Sequence, residues 1–561
     1  MSAADSPSPQ PSPFQGRGGK GVEVIGAGLA GCEAALQCAR FGVPVRLHEM
    51  RPEKMTEAHE TGDVAELVCS NSLKSDEPQN AHGLLKAELR VFGSALLECA
   101  ERARIPGGKA LVVDRRRFSA EVQKALDAAG VEVIRQEFGS VPSPSRRRGF
   151  QTPTDRPGSS NAADNRDWEV APTEAEGTGE GEPAITIIAT GPLTSQPMAE
   201  SLQALLGTER LFFYDAIAPI VAAESFDLSR VFEGSRYEAG SDYLNCPMSE
   251  EEYASFVDAL LGAQLHPLHD FENPQGEHPQ ISQITQMSPQ HVRTPQREPG
   301  TKNEEPGTFF EGCLPVEEIA RRGRLALAFG PMKPVGLVDP KTGKRPFAVV
   351  QLRRENETGT MYNLVGFQTR LTYPEQERVF RQIPGLEQAK FLRLGSIHRN
   401  TYLDAPKVLL PTLQTRARAD LFIAGQLAGV EGYVESIGAG LVAGINAARM
   451  AKGGLPLQLP AETMLGSLLA YITASVSDSS LECGSAAPAL QSPTGKAAAT
   501  PALGTVPIRG QSPAFQPMNA NFGLLPPLAE RLRGRDKRRA MAERALAAAC
   551  EFTSTVPHNL V

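Results

Sequence analysis

Gly21-Val-Glu-Val-Ile-Gly-Ala-Gly-Leu-Ala-Gly31 decides the fold class. Gly21 to Ile25 reads as a short buried strand, and the residues after Gly28 as a helix running to about Phe41. Gly42 stops that helix, and Val43-Pro-Val-Arg-Leu-His48 reads as the next strand. Strand, glycine turn, helix and strand make one βαβ unit. Within the turn, Gly26 permits the tight bend, Gly28 lets backbone approach a pyrophosphate, and Gly31 brings helix against strand. Ala27, Leu29 and Ala30 complete the turn, whose unpaired N–H groups and positive dipole end would face the phosphates. Glu49 closes the second strand 18 residues after Gly31, where a carboxylate accepts from ribose hydroxyls. Such a site fits FAD and NAD alike.

Two later segments favour FAD. Ile187-Ile-Ala-Thr-Gly191 is a strand ending in Thr-Gly, and Leu421-Phe-Ile-Ala-Gly-Gln426 is another. The second leads through Leu427-Ala-Gly-Val-Glu-Gly-Tyr-Val-Glu-Ser436 into a helix of small residues, Ile437 to Met450. This arrangement resembles flavoproteins of the glutathione-reductase type. The resemblance implies an α/β fold in which a discontinuous Rossmann-like FAD-binding domain holds an inserted α+β substrate domain. Gly191, Gly425, Gln426, Glu431 and Gly432 join the cofactor-binding candidates. The expected FAD domain covers 21–200 and 411–455, with the substrate lobe at 201–410.

The chain has 561 residues, 41% of them hydrophobic, with a net charge of −8. That is an ordinary soluble composition for more than one core. No apolar run approaches the roughly 18 residues that span a bilayer, and the start of the chain has no apolar stretch like a signal peptide. A cytoplasmic location is the expectation. Residues 1–20 are expected to be a disordered extension and about 140–183 a mostly disordered surface insertion, with further polar insertions at about 271–307 and about 476–516, the last within a C-terminal segment 456–561. The lone Trp168 falls in one of them. Residues 50–82 read as a long polar loop, Leu84 to Arg104 as a helix, Leu111-Val-Val113 as a strand, Arg116 to Ala129 as a helix and Val131-Glu-Val-Ile134 as a strand.

Charge is uneven. Residues 310–420 hold 18 Lys/Arg against 11 Asp/Glu, and Arg531-Leu-Arg-Gly-Arg-Asp-Lys-Arg-Arg539 forms a basic helical tail. Such patches suit phosphates, although a solvated helix face explains them equally well.

Eight cysteines stand at 32, 38, 69, 99, 246, 313, 483 and 550, with no C-x-x-C pair. A zinc ribbon is therefore not expected, and no metal site is. Cys32 and Cys38 read as small buried hydrophobes. Cys69 and Cys246 have different settings. Cys69 lies in the polar loop, in Ala65-Glu-Leu-Val-Cys-Ser-Asn-Ser-Leu-Lys74, and Cys246 in Tyr243-Leu-Asn-Cys-Pro-Met248 before an acidic helix start. A thiolate can add to C6 of uracil and make C5 a carbon nucleophile. Local sequence alone also fits two thiols with no chemical role.

The phrases together resemble the folate- and FAD-dependent tRNA (uracil-5-)-methyltransferases, the TrmFO family. They include Val24-Ile-Gly-Ala-Gly-Leu-Ala-Gly31, Glu66-Leu-Val-Cys-Ser-Asn-Ser-Leu73, Ile187-Ile-Ala-Thr-Gly-Pro-Leu-Thr194 and Tyr243-Leu-Asn-Cys-Pro-Met248. Further along come Phe310-Glu-Gly-Cys-Leu-Pro315, Phe329-Gly-Pro-Met-Lys-Pro-Val-Gly336, Val365-Gly-Phe-Gln-Thr369, His398-Arg-Asn-Thr-Tyr402 and Asn519-Ala-Asn-Phe-Gly-Leu524. The resemblance covers nearly all of the chain outside the tail and insertions. It implies that NAD(P)H reduces FAD, that the flavin draws a one-carbon unit from 5,10-methylenetetrahydrofolate, and that a cysteine activates the T-loop uridine of tRNA for conversion to ribothymidine. Extrusion of the base is the expected entry step. Carried over residue by residue, Cys246 is the favoured nucleophile and Cys69 the second catalytic thiol. Lys333, Arg399, Tyr402 and Tyr433 lie in matched phrases and are expected folate or RNA contacts, whereas Cys313, beside Phe310 and Leu314, is expected to pack. Competing readings are a related FAD- and folate-using enzyme of wobble uridines, a small-molecule flavin oxidoreductase, and a flavoprotein that binds tRNA without chemistry.

Overall fold

The structure is a computed structural model, and it describes residues 21–142, 185–207, 210–236, 240–266, 314–474 and 515–555. The low-complexity segments and Trp168, Cys313 and Cys483 lie outside the described residues, apart from a few flanking positions. In chain order the strands are β1 (Val22–Ile25), β2 (Val45–Glu49), β3 (Ser72–Ser75), β4 (Arg104–Ile105), β5 (Ala110–Val113), β6 (Glu132–Arg135), β7 (Ile185–Ile188) and β8 (Arg210–Ala216). They continue with β9 (Ile220–Ala222), β10 (Phe232–Glu233), β11 (Tyr243–Met248), β12 (Ala348–Arg354), β13 (Met361–Leu364), β14 (Phe391–Arg393), β15 (Ile397–Leu403) and β16 (Leu421–Ile423).

Five of these form a parallel sheet in the order β16-β7-β1-β2-β6. The strands β1, β7 and β16 are buried throughout, which is why they read as largely apolar runs, whereas β6 at the sheet edge is partly exposed. The Leu29–Arg40 and Tyr433–Ala451 helices pack closely against one another. Small residues allow it: a Cβ on Gly440 would stand 2.2 Å from the Ala30 carbonyl oxygen, and one on Gly444 2.5 Å from that of Ala34. The parallel sheet is thus assembled from sequence pieces more than 200 residues apart, as the glutathione-reductase resemblance implies. A three-stranded antiparallel sheet, β3-β5-β4, adjoins it.

The expected helix over 84–104 is two helices, Ala81–Val91 and Ala95–Arg102. Gly93 breaks it with φ +75, and the Ser94 side chain caps the second helix by accepting from Leu97 N. The expected loop over 50–82 contains β3. The Gly534–Thr555 helix docks its far end on the Ala81–Val91 helix, with the Phe92 and Phe552 rings edge to face at 6.4 Å.

A second core lies between Val221 and Ala389. Its sheet runs β10-β11-β12-β13-β9-β14, antiparallel throughout. The ladder between β8 and β15 joins this lobe to the first. Register on β11 and β12 decides a functional question. Tyr243 pairs with Arg353, Asn245 with Gln351, and Cys246 with Val350. Alternation puts Tyr243, Asn245, Gln351 and Arg353 on one face, and Leu244, Cys246, Val350 and Leu352 on the other. The second face is the apolar core, and Cys246 is wholly buried in it.

Candidate functional site: a cofactor cleft beside Cys69

A cleft with an empty volume of about 1040 Å³, open mouth included, runs along the C-terminal ends of β1, β2, β7 and β16. In an open parallel α/β sheet this is where ligands bind. Of the cofactor-binding candidates, Gly26, Gly28, Leu29, Ala30, Glu49, Gly191, Gly425 and Gln426 line it. Ala27 and Gly31 lie beneath, where they shape the turn. Gly26 has φ +101, and a Cβ there would stand 2.5 Å from the Ala189 carbonyl oxygen. A Cβ on Gly31 would be 1.8 Å from the Gly26 carbonyl oxygen. Nothing stands within 4 Å of a Cβ built on Gly28, which instead borders the cleft. These close approaches, with the N-terminus of the Leu29–Arg40 helix beside the cleft, fit a dinucleotide's phosphates.

Glu49 accepts from the Ala27 N–H at 3.0 Å and from Arg51 Nε at 2.9 Å. Burial alone would raise its pKa, but the Arg51 guanidinium holds the carboxylate below its ordinary range. Arg51 reaches on to Glu66 at 3.0 Å, and Glu66 in turn accepts from Thr61 N, Thr61 Oγ1 and Glu60 N. An exposed ion pair contributes about 0–1 kcal/mol. This one is buried, so losing one partner should cost about 3–5 kcal/mol. Arg51, Thr56, His59, Glu66, Gln136 and Phe138 all line the cleft and escaped the sequence reading. The acidic end of Glu66-Leu-Val-Cys was the available sign.

The loop then folds back over the glycine turn, as Ala65 N–H bonds the Ala27 carbonyl at 2.8 Å. That delivers Val68 to the cleft wall and Cys69 next to it. Three arginines clamp the loop here: Arg115 on the carbonyl of Leu67 and Arg393 on that of Val68 at 2.9 Å, and Arg353 on the side-chain oxygens Ser70 Oγ at 2.8 Å and Asn71 Oδ1 at 2.9 Å. Asn71 Nδ2 donates to the carbonyls of Val113 and Arg354, so both lobes hold this loop.

Tyr433, which begins the long helix and lines the cleft, completes the setting. Its hydroxyl oxygen accepts from Cys69 N at 2.8 Å and Ser70 N at 3.2 Å, and lies 3.0 Å from Cys69 Sγ. With both lone pairs occupied, its one hydrogen points to the sulfur. Cys69 is half-buried. Burial, then the charge of Asp215, push its thiol up to about 11, while the Tyr433 hydrogen bond and Arg115 pull the other way. At neutral pH the thiol is protonated, so alkylation by iodoacetamide, followed at the Cys69 peptide, should be slow and rise about tenfold per pH unit up to about pH 11. A rate flat above pH 8 would contradict this environment.

The other candidates sit elsewhere. Cys246 faces the apolar core of the second lobe, its thiol pushed far up by burial and then by Glu387. The expectation that it is the nucleophile meets this obstacle: alternation turns it away from the sheet face that holds Ser70 and Asn71. Tyr402 is buried, donates to the Phe515 carbonyl at 3.0 Å and packs edge-on to the Phe515 ring, so it anchors chain rather than contacting ligand. Arg399 lies on β15 in register with Tyr214. Lys333 lies on the 330–338 segment of the second lobe, away from the cleft wall. Glu431 is buried behind the wall, its carboxyl pushed up to about 8 by burial and then Asp215, and it accepts from Gln426 at 2.7 Å. Gly432, with φ +117, leaves room for the Glu435 carboxylate 2.2 Å from where its Cβ would be. Among the described residues no helix is long and apolar enough to cross a membrane.

Comparison with known proteins agrees with this architecture. The family model described as "Glucose inhibited division protein A" matches residues 21–301 and 280–454. A protein of Moorella thermoacetica named methylenetetrahydrofolate–tRNA-(uracil-5-)-methyltransferase TrmFO is 47% identical over 528 residues, 94% of this chain and 96% of its own length. Its namesake in Heliobacterium modesticaldum is 45% identical over the same shares. Among solved structures, Aquifex aeolicus GidA aligns over 81% of this chain and 68% of its own, with TM-score 0.53 at 17% identity, a likeness of fold. With relatives this similar along nearly all of its length, the chain belongs to the TrmFO family.

Proposed function

We propose that this chain methylates C5 of a uridine in tRNA, using methylenetetrahydrofolate, with FAD in the cleft and Cys69 as the thiol that activates the base. The observation that carries the reading is a clamped, half-buried cysteine against Tyr433, a residue that lines a cleft with a dinucleotide-type glycine turn. Support for the substrate comes from the relatives, whose names carry that activity at 45–47% identity. FAD, when bound, supplies the redox chemistry that carries the one-carbon unit and brings it to the methyl level, its electrons coming from NAD(P)H.

The chain's own residues do the rest. The glycine turn and the Leu29–Arg40 helix N-terminus would hold the pyrophosphate of FAD, and Glu49 would bind its ribose. Arg115, Arg353 and Arg393 fix the Cys69 loop, so that the sulfur has one position rather than many. The Cys69 proton leaves as sulfur approaches uracil, and the Tyr433 hydroxyl hydrogen steadies the charge. The sulfur–C6 bond forms as the thiol proton passes to water, and the C5=C6 electron pair bonds C5 to the one-carbon unit. The bond from that carbon to its carrier breaks as water takes the C5 proton. The hydride equivalent that reduced FAD would supply brings the carbon to the methyl level, and expulsion of the sulfur as thiolate restores the C5=C6 bond. Tyr433 is therefore a positioning residue for the thiol, and Lys333 and Arg399 remain proposed contacts for RNA.

We place the modified base in the T-loop, as the resemblance implies. Ribonuclease fragments of tRNA treated with enzyme, cosubstrate and NADPH should carry the new methyl group on the T-loop uridine alone. A methyl group at the wobble position, or on both, would overturn that assignment.

A further inference from the structure

Residues 321–345 of the second lobe carry seven Lys/Arg and a single acid, Asp339. Asp339 is buried and bound into its own turn, accepting from Lys341 N at 2.9 Å. Arg321 and Arg324 pair with Glu318 and Asp258, and the Lys341 ammonium sits on the carbonyls of Ser229 and Val231. Lys344 and Arg345 project into solvent. The same short segment exposes Phe329 to 80%, Val338 to 58%, Leu325 to 47% and Val335 to 37%. Single exposed apolar side chains are ordinary, whereas four in one segment mark a surface meant to be covered.

The segment's position says by what. Leu337 packs on Phe232 and Val349, and Arg236 donates to the Pro331 carbonyl at 2.9 Å. Val349 belongs to the sheet face that carries Gln351 and Arg353, and Arg353 grips Ser70 and Asn71 beside Cys69. A chain of packing and hydrogen bonds thus links the Cys69 loop to this apolar, basic segment. Resting on the tRNA reading above, we propose that the 325–345 segment is a docking surface for unpaired RNA, on which Phe329 stacks a base and Lys344 and Arg345 hold phosphates. An aromatic ring accepts any base on its face, while flanking cations track the backbone. Charge complementarity selects RNA over another protein: apart from the buried Asp339 the segment offers only cations.

Binding of an unmodified tRNA transcript, measured by fluorescence anisotropy across a salt series, tests this on the FAD-loaded protein. Phe329→Ala should weaken binding roughly tenfold, and Phe329→Trp should restore it while Phe329→Leu does not. The double variant Lys344→Glu/Arg345→Glu should reduce the slope of log affinity against log salt by about two. Flavin absorbance reports that each variant keeps its fold. Unchanged affinity in Phe329→Ala, or full rescue by leucine, would overturn the stacking surface while wild-type methylation still stood. A shift of Phe329→Ala from dimer to monomer in sedimentation, with tRNA affinity retained, would overturn it in favour of a protein interface. Wild-type protein that neither binds nor methylates tRNA would bring down the parent reading, and this surface with it.

Discussion

Cys69→Ala should abolish 5-methyluridine formation and the covalent complex with 5-fluorouridine RNA, while Cys246→Ala leaves that complex intact. The expected loss for Cys69 is at least about 10³-fold, the scale at which removing a covalent nucleophile leaves only residual catalysis. Cys69 lies between Val68 and Tyr433, both in the cleft wall, with its backbone N–H on the Tyr433 hydroxyl. Cys246 is sealed between β11 and the second core. Its truncation removes one buried sulfur and leaves a small cavity, so a stability loss of about 1–3 kcal/mol is the expected result, with the adduct still forming. Gel-shift of the 5-fluorouridine adduct in both variants, beside their melting temperatures, separates the two roles. An adduct that persists without Cys69 and disappears without Cys246 would reverse them. It would also mean that the second lobe opens its sheet to expose the thiol.

The second large effect separates two glycines of one motif. Gly31→Ala places a methyl group 1.8 Å from the Gly26 carbonyl oxygen, backbone against backbone, so helix and strand cannot keep their approach. The protein should be recovered without flavin and be strongly destabilised, by several kcal/mol. Gly28→Ala meets nothing within 4 Å in the protein itself. It should therefore fold with a near-normal melting temperature yet bind FAD far more weakly, because its methyl group occupies space that the pyrophosphate takes. Flavin absorbance per protein and thermal melts of both variants check the pair. Normal flavin content in Gly28→Ala would place the phosphates elsewhere in the cleft.

Much of this was legible in the residues, for reasons that can be named. Gly26, Gly28 and Gly31 are local requirements of a tight turn, so their spacing reports β1, the first helix and the cleft without tertiary information. The break at Gly93 and the cap at Ser94 were equally local, but the apolar spacing on either side ran through them. At Cys246 the local pattern and the matched phrase point to different roles. Tyr243-Leu-Asn-Cys-Pro-Met248 alternates, and read as a strand it puts Leu244, Cys246 and Met248 on one apolar face. Tyr402 was legible only as part of a matched phrase, because the partner that buries it, Phe515, stands 113 residues away. The clamp on Cys69 had no local sign at all. Arg353 and Arg393 reach its loop across 283 and 325 residues of chain, and only the folded sheet brings them there.

One measurement bears most directly on the activity itself. The purified, FAD-loaded protein is incubated with unmodified tRNA, NADPH and methylenetetrahydrofolate labelled with carbon-13 at the methylene group, and the nucleosides are then analysed by mass spectrometry. The expected product is 5-methyluridine with the label in its methyl group, formed only when folate and reductant are both present. FAD-loaded protein that leaves the uridine unmodified, or that forms unlabelled 5-methyluridine, would contradict the account.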